Sequence, residues 1–206
     1  MIYTIGYSCY TMDEFIEVLK TFKISTLIDV RTTPYSSFHI DFNSDILKAN
    51  LKENGIKYLY LGSKVGGRPK NKQLYDDDGV IDYQKMEISS SFKKGIAEIA
   101  SLSSSNVCLM CAEKNPINCH RSILIGKCLY NAGYDVLHIV DGIPLLTQGY
   151  VEDMLVKKHF PNLNQLSLFD KNEDYNSAVF KAYNMQNKVI GAKINEEECD
   201  WFSCFI

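Results

Sequence analysis

The sequence predicts an α/β fold, with a mainly parallel five-stranded sheet covered by helices in Rossmann-like or flavodoxin-like layers and followed by a C-terminal extension. Two observations support this class. Short β-rich apolar runs alternate with segments of helical periodicity, which implies right-handed crossovers between parallel strands. The length of 206 residues also suits one domain of about 150 residues with an appendage. We place the α/β domain at residues 1–160 and the extension at 161–206.

Five runs rich in β-branched and aromatic residues are the predicted strands. They cover residues 2–5, 26–30, 57–61, 107–110 and 136–140.

Each predicted strand lies next to a helical pattern along the chain. Thr11 and Glu14 have the spacing of a capping box, which marks the start of the first helix. Further helices are predicted at about 43–55, 83–102, 119–133 and 149–160, from apolar periodicity and from the glycines that follow two of them.

Composition narrows the functional classes. The net charge is −3, and the residues after Phe160 account for all of it. A neutral first domain argues against a large basic face for nucleic-acid backbones. The seven cysteines are odd in number and irregular in spacing, so we expect them to be free thiols. The first residues lack a basic leader, so we expect the protein to be cytoplasmic. No run approaches the roughly 20 apolar residues of a membrane helix.

Arginine is rare in this chain and therefore informative. Arg31, Arg68 and Arg121 are the only three, against nineteen lysines, and each falls in a loop at the carboxyl end of a predicted strand. Ligands of parallel α/β sheets bind at that edge, and a guanidinium group grips phosphate or carboxylate with two hydrogen bonds. Together with Ser8 and the amides of Gly66 and Gly67, these arginines are our predicted anion-binding residues. Alternatively, an arginine could tie loops together by pairing with a carboxylate such as Asp29 or Glu113.

The segment from Cys111 to Ser122 concentrates reactive groups between a strand end and a helix start. If Asn118 caps that helix, Cys119 and His120 occupy its first turn, where free amides and the helix dipole favour a thiolate. The predicted catalytic residues are Cys111, Glu113, Cys119, His120 and Asp29. Cys111, Cys119 and His120 could instead hold a metal ion, and a structural metalloprotein remains an alternative, although we predict no metal. No motif identifies a cofactor.

Several motifs, in order along residues 1–145, resemble one family. They are Thr4-Ile5-Gly6-Tyr7-Ser8, Asp29-Val30-Arg31 with Pro34 and Ser36, Phe42-Asn43, Leu61-Gly62 with Gly66-Gly67-Arg68, Cys111-Ala112-Glu113 with Cys119-His120-Arg121-Ser122, and Gly133 with His138-Ile139. Their succession resembles the domain-of-unknown-function 488 family of uncharacterised bacterial proteins. Tyr7 stands where histidine is common in the first motif. The resemblance implies a site at these loops and no particular reaction.

A second resemblance lies in the predicted extension. Gln165, Leu166, Leu168 and Phe169 resemble the short peptide by which bacterial replication and repair proteins dock on the sliding clamp. Leu166 and Phe169 could equally pack onto the domain.

We therefore expect an enzyme that acts on a phosphate-bearing substrate, such as a nucleotide or nucleic acid. The alternative from another class is a non-enzymatic module that binds nucleic acid and is recruited to the sliding clamp.

Overall fold

The computed structural model describes residues 1–142, 144–161 and 175–194. Within them, six strands form one sheet in the order β3-β2-β4-β1-β5-β6. The strands are β1 Ile2–Gly6, β2 Thr26–Asp29, β3 Lys57–Tyr60, β4 Val107–Cys111, β5 Val136–Ile139 and β6 Leu146–Thr147.

The α/β class and the five predicted strands are confirmed, and these five are parallel. The prediction of only five strands is wrong, because β6 adds a two-residue antiparallel edge beside β5. A strand this short has no periodicity that a sequence pattern can display. The strand order also differs from the two doubly wound orders, 3-2-1-4-5-6 and 2-1-3-4-5.

Eight α-helices and one π-helical turn accompany the sheet in the described residues. The helices are α1 Met12–Thr21, α2 Ser44–Glu53, α3 Gly62–Val65, α4 Tyr83–Ile88, α5 Ser90–Ser101, α6 Lys127–Asn131, α7 Gln148–His159 and α8 Tyr175–Ile190, and the π-helical turn is Arg121–Gly126. Among the described helices, none has both the length and the apolar composition needed to cross a bilayer.

One predicted helix start is confirmed, and one predicted helix is wrong. The capping box that starts α1 is confirmed, since the Thr11 hydroxyl accepts from the Glu14 amide and the Glu14 carboxylate accepts from the Thr11 amide. The single helix predicted at 83–102 is wrong, because Ser89 takes an extended conformation and caps α5 through the Phe92 amide. The serine hydroxyl offers the backbone a local alternative to helix continuation.

The core has two layers, one on each face of the sheet. One layer packs α1 and α2 on the sheet through residues such as Phe15 and Leu47. The other packs α5, the π-helical turn, α7 and α8 on the opposite face through residues such as Phe92 and Leu155. Cys108 lies in the first layer and Cys111 in the second, as the alternation of a strand requires.

This layering fixes where a ligand can bind. The chain leaves β1 and β2 for helices on one face, and it leaves β4, which lies between them, for the π-helical turn on the other face. Loops that part in opposite directions open a crevice at the carboxyl ends of neighbouring strands.

Candidate active site

A cleft of about 360 Å³ opens at the carboxyl ends of β1, β2 and β4. Its walls come from the loop after β2, the Gly67-Arg68 segment, the loop after β4 and the end of α8. Thr32, Arg68, Cys111, Cys119 and His120 all line it. The place expected from the strand order is therefore the place where the reactive residues meet.

Arg31 lines this cleft but is held by Asp29 at its base. The Arg31 Nη2 donates to Asp29 Oδ2 at 2.6 Å, Nε donates to both carboxylate oxygens, and the Arg31 amide donates to Oδ1 at 3.0 Å. The Tyr58 hydroxyl also donates to Asp29. Because the Asp29 carboxylate is fully buried and saturated, its geometry suits positioning Arg31 better than proton transfer.

Arg121 is fully buried and does not line the cleft. Its guanidinium donates to the carbonyl oxygens of Glu113 and Lys114, and Nε donates to the Thr4 hydroxyl. These bonds pin the loop after β4 above the end of β1. Gly6 allows this close approach, since a Cβ there would stand 1.9 Å from the Glu113 carbonyl oxygen. Arg121 therefore acts on the site through the loop that it holds.

Two thiols and one imidazole converge on the floor of the cleft. The Sγ atoms of Cys111 and Cys119 lie 3.8 and 3.9 Å from the Nδ1 of His120. The other ring nitrogen of His120, Nε2, lies 3.0 Å from the carbonyl oxygen of Val30. Gly67 packs against the ring, where a Cβ would come within 3.0 Å of it.

The local chain conformation explains this convergence. Cys111 ends β4, and a short 3₁₀ turn Pro116–Asn118, capped by the Asn115 side chain, brings the chain back to Cys119. The Cys119 carbonyl accepts from the amides of Ser122 and Ile123, so the helix begins after Cys119, two residues later than expected. Cys119 therefore precedes the first turn instead of lying within it.

The two thiols differ in acidity. Burial opposes ionisation of Cys119, but the hydrogen bond from Cys111 and the positive charge of Arg121 lower the pKa of the Cys119 thiol well below its usual value. The same hydrogen bond, together with burial, raises the pKa of Cys111 well above its usual value. Cys119 is therefore the thiol that ionises first.

Arg68 is the arginine available to a ligand. It is exposed at the cleft, and among the described residues its guanidinium has no hydrogen-bond or ion-pair partner. Its backbone amide donates to the Thr32 hydroxyl at 2.9 Å, which ties the Arg68 segment to the loop after β2.

The remaining predicted residues divide between the cleft and its surroundings. Glu113 and Gly67 line the cleft, and the Glu113 carboxylate has no hydrogen-bond partner in the part of the chain that the structure describes. Ser8 and Gly66 lie outside the lining, since Ser8 is exposed on the surface and Gly66 packs on the backbone of Thr32. Gln165, Leu166, Leu168 and Phe169 lie outside the described residues.

Sequence reasoning missed the aromatic and C-terminal parts of the lining. Tyr35 stands 57% exposed at the cleft, Tyr83 lines it from the start of α4, and Ile190 and Ala192 reach it from the end of α8. Tyr35 lies in the loop after β2 that also carries Arg31, so its aromatic ring is a signal that the sequence offers. Tyr83 and Ile190 reach the cleft only through tertiary packing.

Helix α8 also holds the reactive loop in place. The Gln186 amide group donates to the carbonyl oxygen of Ile117 at 2.7 Å, two residues before Cys119. Asn187 bonds both the Ile81 carbonyl and the Tyr83 amide. The last described helix is thus part of the support of the site.

Comparison with known proteins gives one match. The family model described as Domain of unknown function DUF488 matches residues 11–127, which is more than half of the chain. The chain belongs to this family. The matched DUF488 region contains all three arginines and the whole of the thiol and imidazole cluster. No curated protein matches this chain, and no solved structure matches it.

Proposed function

We propose that this DUF488 protein is an enzyme that acts on a phosphate-bearing substrate, such as a nucleotide or the end of a nucleic acid. One observation carries the proposal: the guanidinium group of Arg68, which has no partner within residues 1–142, 144–161 and 175–194, shares a cleft with two thiols and an imidazole. The guanidinium group can bind phosphate, and the thiols and the imidazole can make or break bonds.

Arg68 is the proposed phosphate ligand. Its planar fork suits two phosphate oxygens, and the bond from its amide to Thr32 fixes the segment that presents it. Arg31 is neutralised by Asp29, so it contributes hydrogen bonding at the base of the cleft more than net charge.

The cleft volume favours a nucleotide-sized ligand over a long duplex. About 360 Å³ lies near the lower end of the roughly 300–1,000 Å³ of small-molecule sites. The exposed ring of Tyr35 offers a face on which a nucleobase can stack, an interaction worth about 1–3 kcal/mol. The net charge of −3 argues against a broad basic face, and so favours a small anion held by a few residues over a long nucleic acid.

At the floor of the cleft, Cys119 and His120 are the proposed reacting groups. The lowered pKa makes Cys119 the better nucleophile of the two thiols, while Glu113, exposed at the same cleft, is the proposed general acid or base. The neighbouring Cys111 thiol favours the ionised form of Cys119 and so lowers its pKa.

Calorimetric titration with inorganic phosphate and with adenosine 5′-monophosphate tests the binding half. Arg68→Lys should weaken both ligands about tenfold, because an ammonium cannot make the paired hydrogen bonds. Tyr35→Ala should weaken only the nucleotide. Lys70→Ala is the matched control, since Lys70 is exposed in the same segment but outside the lining. An unchanged affinity in Arg68→Lys would contradict the proposal.

Turnover of a panel of phosphate esters separates the enzyme from the non-enzymatic module. Glu113→Gln should abolish turnover while phosphate affinity stays within about twofold, because the carboxylate acts on the reaction and not on the anion. A protein that binds nucleotide, turns over none of the panel and is indifferent to Glu113→Gln would favour the binding module.

A further inference from the structure

Cys111, Cys119 and His120 form a compact group of soft and borderline metal ligands. Their Sγ and Nδ1 atoms all lie within 4.8 Å of one another. Thiolate and imidazole are the ligands that zinc prefers in proteins, and catalytic zinc sites commonly use three protein ligands with a fourth position open.

The two sulfur to nitrogen distances are close to those of a tetrahedral site. Bond lengths of about 2.3 Å for Zn–S and about 2.05 Å for Zn–N place tetrahedral ligand atoms about 3.8 Å apart for two sulfurs and about 3.6 Å apart for sulfur and nitrogen. The two observed sulfur to nitrogen distances are 3.8 and 3.9 Å. The three atoms therefore need to move by only a few tenths of an ångström for the S–N pairs to fit around one ion.

The orientation of His120 independently points to the same use. A carbonyl oxygen only accepts hydrogen bonds, so the Val30 carbonyl at 3.0 Å requires the proton of His120 to sit on Nε2. The lone pair on Nδ1 then faces the two sulfurs. Metal-binding histidines have this arrangement, in which an outer acceptor fixes the tautomer and the ring plane.

From this geometry we infer that Cys111, Cys119 and His120 bind one Zn²⁺ ion whose fourth coordination position faces the cleft. All three residues line the cleft, so the open side is the side from which a substrate enters. Two thiolates and a neutral imidazole balance the charge of the ion. The zinc site stands independently of phosphate binding by Arg68. Zinc binding and nucleophilic attack are alternative uses of the Cys119 thiolate, so a bound ion would leave the phosphate ligand in place and exclude Cys119 as the nucleophile.

Metal analysis of the full-length protein, purified from zinc-supplemented cells without chelators, tests the inference. The expected result is one zinc per chain, removable by a strong chelator and restored by titration with ZnCl₂. Cobalt substitution should give the visible absorption of tetrahedral Co²⁺ and a thiolate-to-cobalt charge-transfer band. These readouts use the wild-type chain, so they do not depend on any variant folding.

Substitutions at Cys119 and His120 test whether these residues bind the zinc ion. Cys119→Ser and His120→Ala should each weaken zinc binding by more than about 100-fold, beyond the roughly 10- to 100-fold that loss of an outer partner costs. Cys9→Ser is the matched control, because Cys9 is a free cysteine outside the cluster and should leave affinity unchanged. Circular dichroism of each variant confirms that it is folded.

Three results would overturn the inference: less than about 0.1 zinc per chain in the wild type, zinc affinity retained in a folded Cys119→Ser variant, or a Cys111–Cys119 disulfide in the protein as purified. Phosphate affinity measured on the same samples keeps the two proposals apart. Normal phosphate binding without zinc would remove the metal and leave the phosphate site standing.

Discussion

At the scale of single residues, the three arginines share a chemistry but not a task. Arg31 is paired with Asp29, Arg121 is buried beneath the loop after β4, and Arg68 faces the cleft with its guanidinium unpartnered among the described residues. Their rarity and their loop positions could be recognised from the sequence. Which of them a ligand meets could not, because it depends on carbonyl and carboxylate partners that tertiary structure supplies.

The buried position of Arg121 leads to a stability prediction. Arg121→Met removes the donors to the Glu113 and Lys114 carbonyls and leaves them without those partners. We expect the free energy of unfolding to fall by about 2–3 kcal/mol, measured by urea denaturation. Arg68→Met, the matched change at the exposed arginine, should alter stability by less than about 0.5 kcal/mol. Equal effects of the two substitutions would show that Arg121 does not hold this loop.

At the scale of elements, the sequence predicts features that depend on contacts between neighbours in the chain. It does not predict features that depend on tertiary contacts. The Thr11 and Glu14 capping box is a contact between neighbours, so sequence spacing sufficed. Helix α8 was missed because its buried side includes Ala178, Ala182, Gln186 and Asn187 in place of a stripe of large apolar residues. Its polar side chains instead hold the loops at Ile81 and Ile117 through hydrogen bonds.

The sliding-clamp hypothesis belongs to a segment outside the described residues, and it stays a prediction. Leu168→Ala combined with Phe169→Ala should abolish binding to a bacterial sliding clamp in surface plasmon resonance while the melting temperature stays unchanged. Leu163→Ala is a matched control from the same stretch of chain. A marked drop in melting temperature would place Leu168 and Phe169 in a packed core instead.

At the scale of the whole molecule, a chain of hydrogen bonds links the site to α7 and α8. Arg121 donates to Thr4, whose hydroxyl lies 2.8 Å from Nδ1 of His138, and His138 Nε2 lies 2.9 Å from the Gln148 side-chain oxygen. Gln148 in turn donates to the Tyr183 hydroxyl. Each donor in this buried chain finds an acceptor if His138 is neutral.

This network predicts a pH dependence. Burial, and secondarily the charge of Arg121, lowers the pKa of His138 to about 4, below the ordinary value of about 6.5. The folded state therefore binds fewer protons than the unfolded chain as the pH falls below 6.5. The contribution of neutral His138 to the free energy of unfolding is present above pH 6.5 and is lost as the pH falls towards 4. Its size is about 3 kcal/mol.

Urea denaturation at several pH values between 4 and 7 measures this contribution. His138→Gln should lower stability near pH 7 and flatten the dependence on pH, whereas His39→Gln, at a half-buried histidine outside the network, should keep the wild-type slope. The idea fails if the wild type and His138→Gln lose stability in parallel as the pH falls.

The position of the cleft follows from the order of strands and helices more readily than the residues that close it. The alternation of strands and helices placed the loops of β2 and β4 at one edge, which suffices to gather Thr32, Cys111 and His120. The residues that close the cleft, Tyr83 and Ile190, come from segments whose packing has no signature in the order of strands.

The central claim is that an anion binds on Arg68 directly beside the thiol and imidazole cluster. Titration with inorganic phosphate, followed by the ring signals of His120 and His138 in nuclear magnetic resonance spectra, tests it most directly. The predicted result is a saturable shift of the His120 signals in the wild type, a midpoint at about tenfold higher phosphate concentration in Arg68→Lys, and unmoved His138 signals in both. Unmoved His120 signals at saturating phosphate, or the same midpoint in Arg68→Lys, would contradict the account.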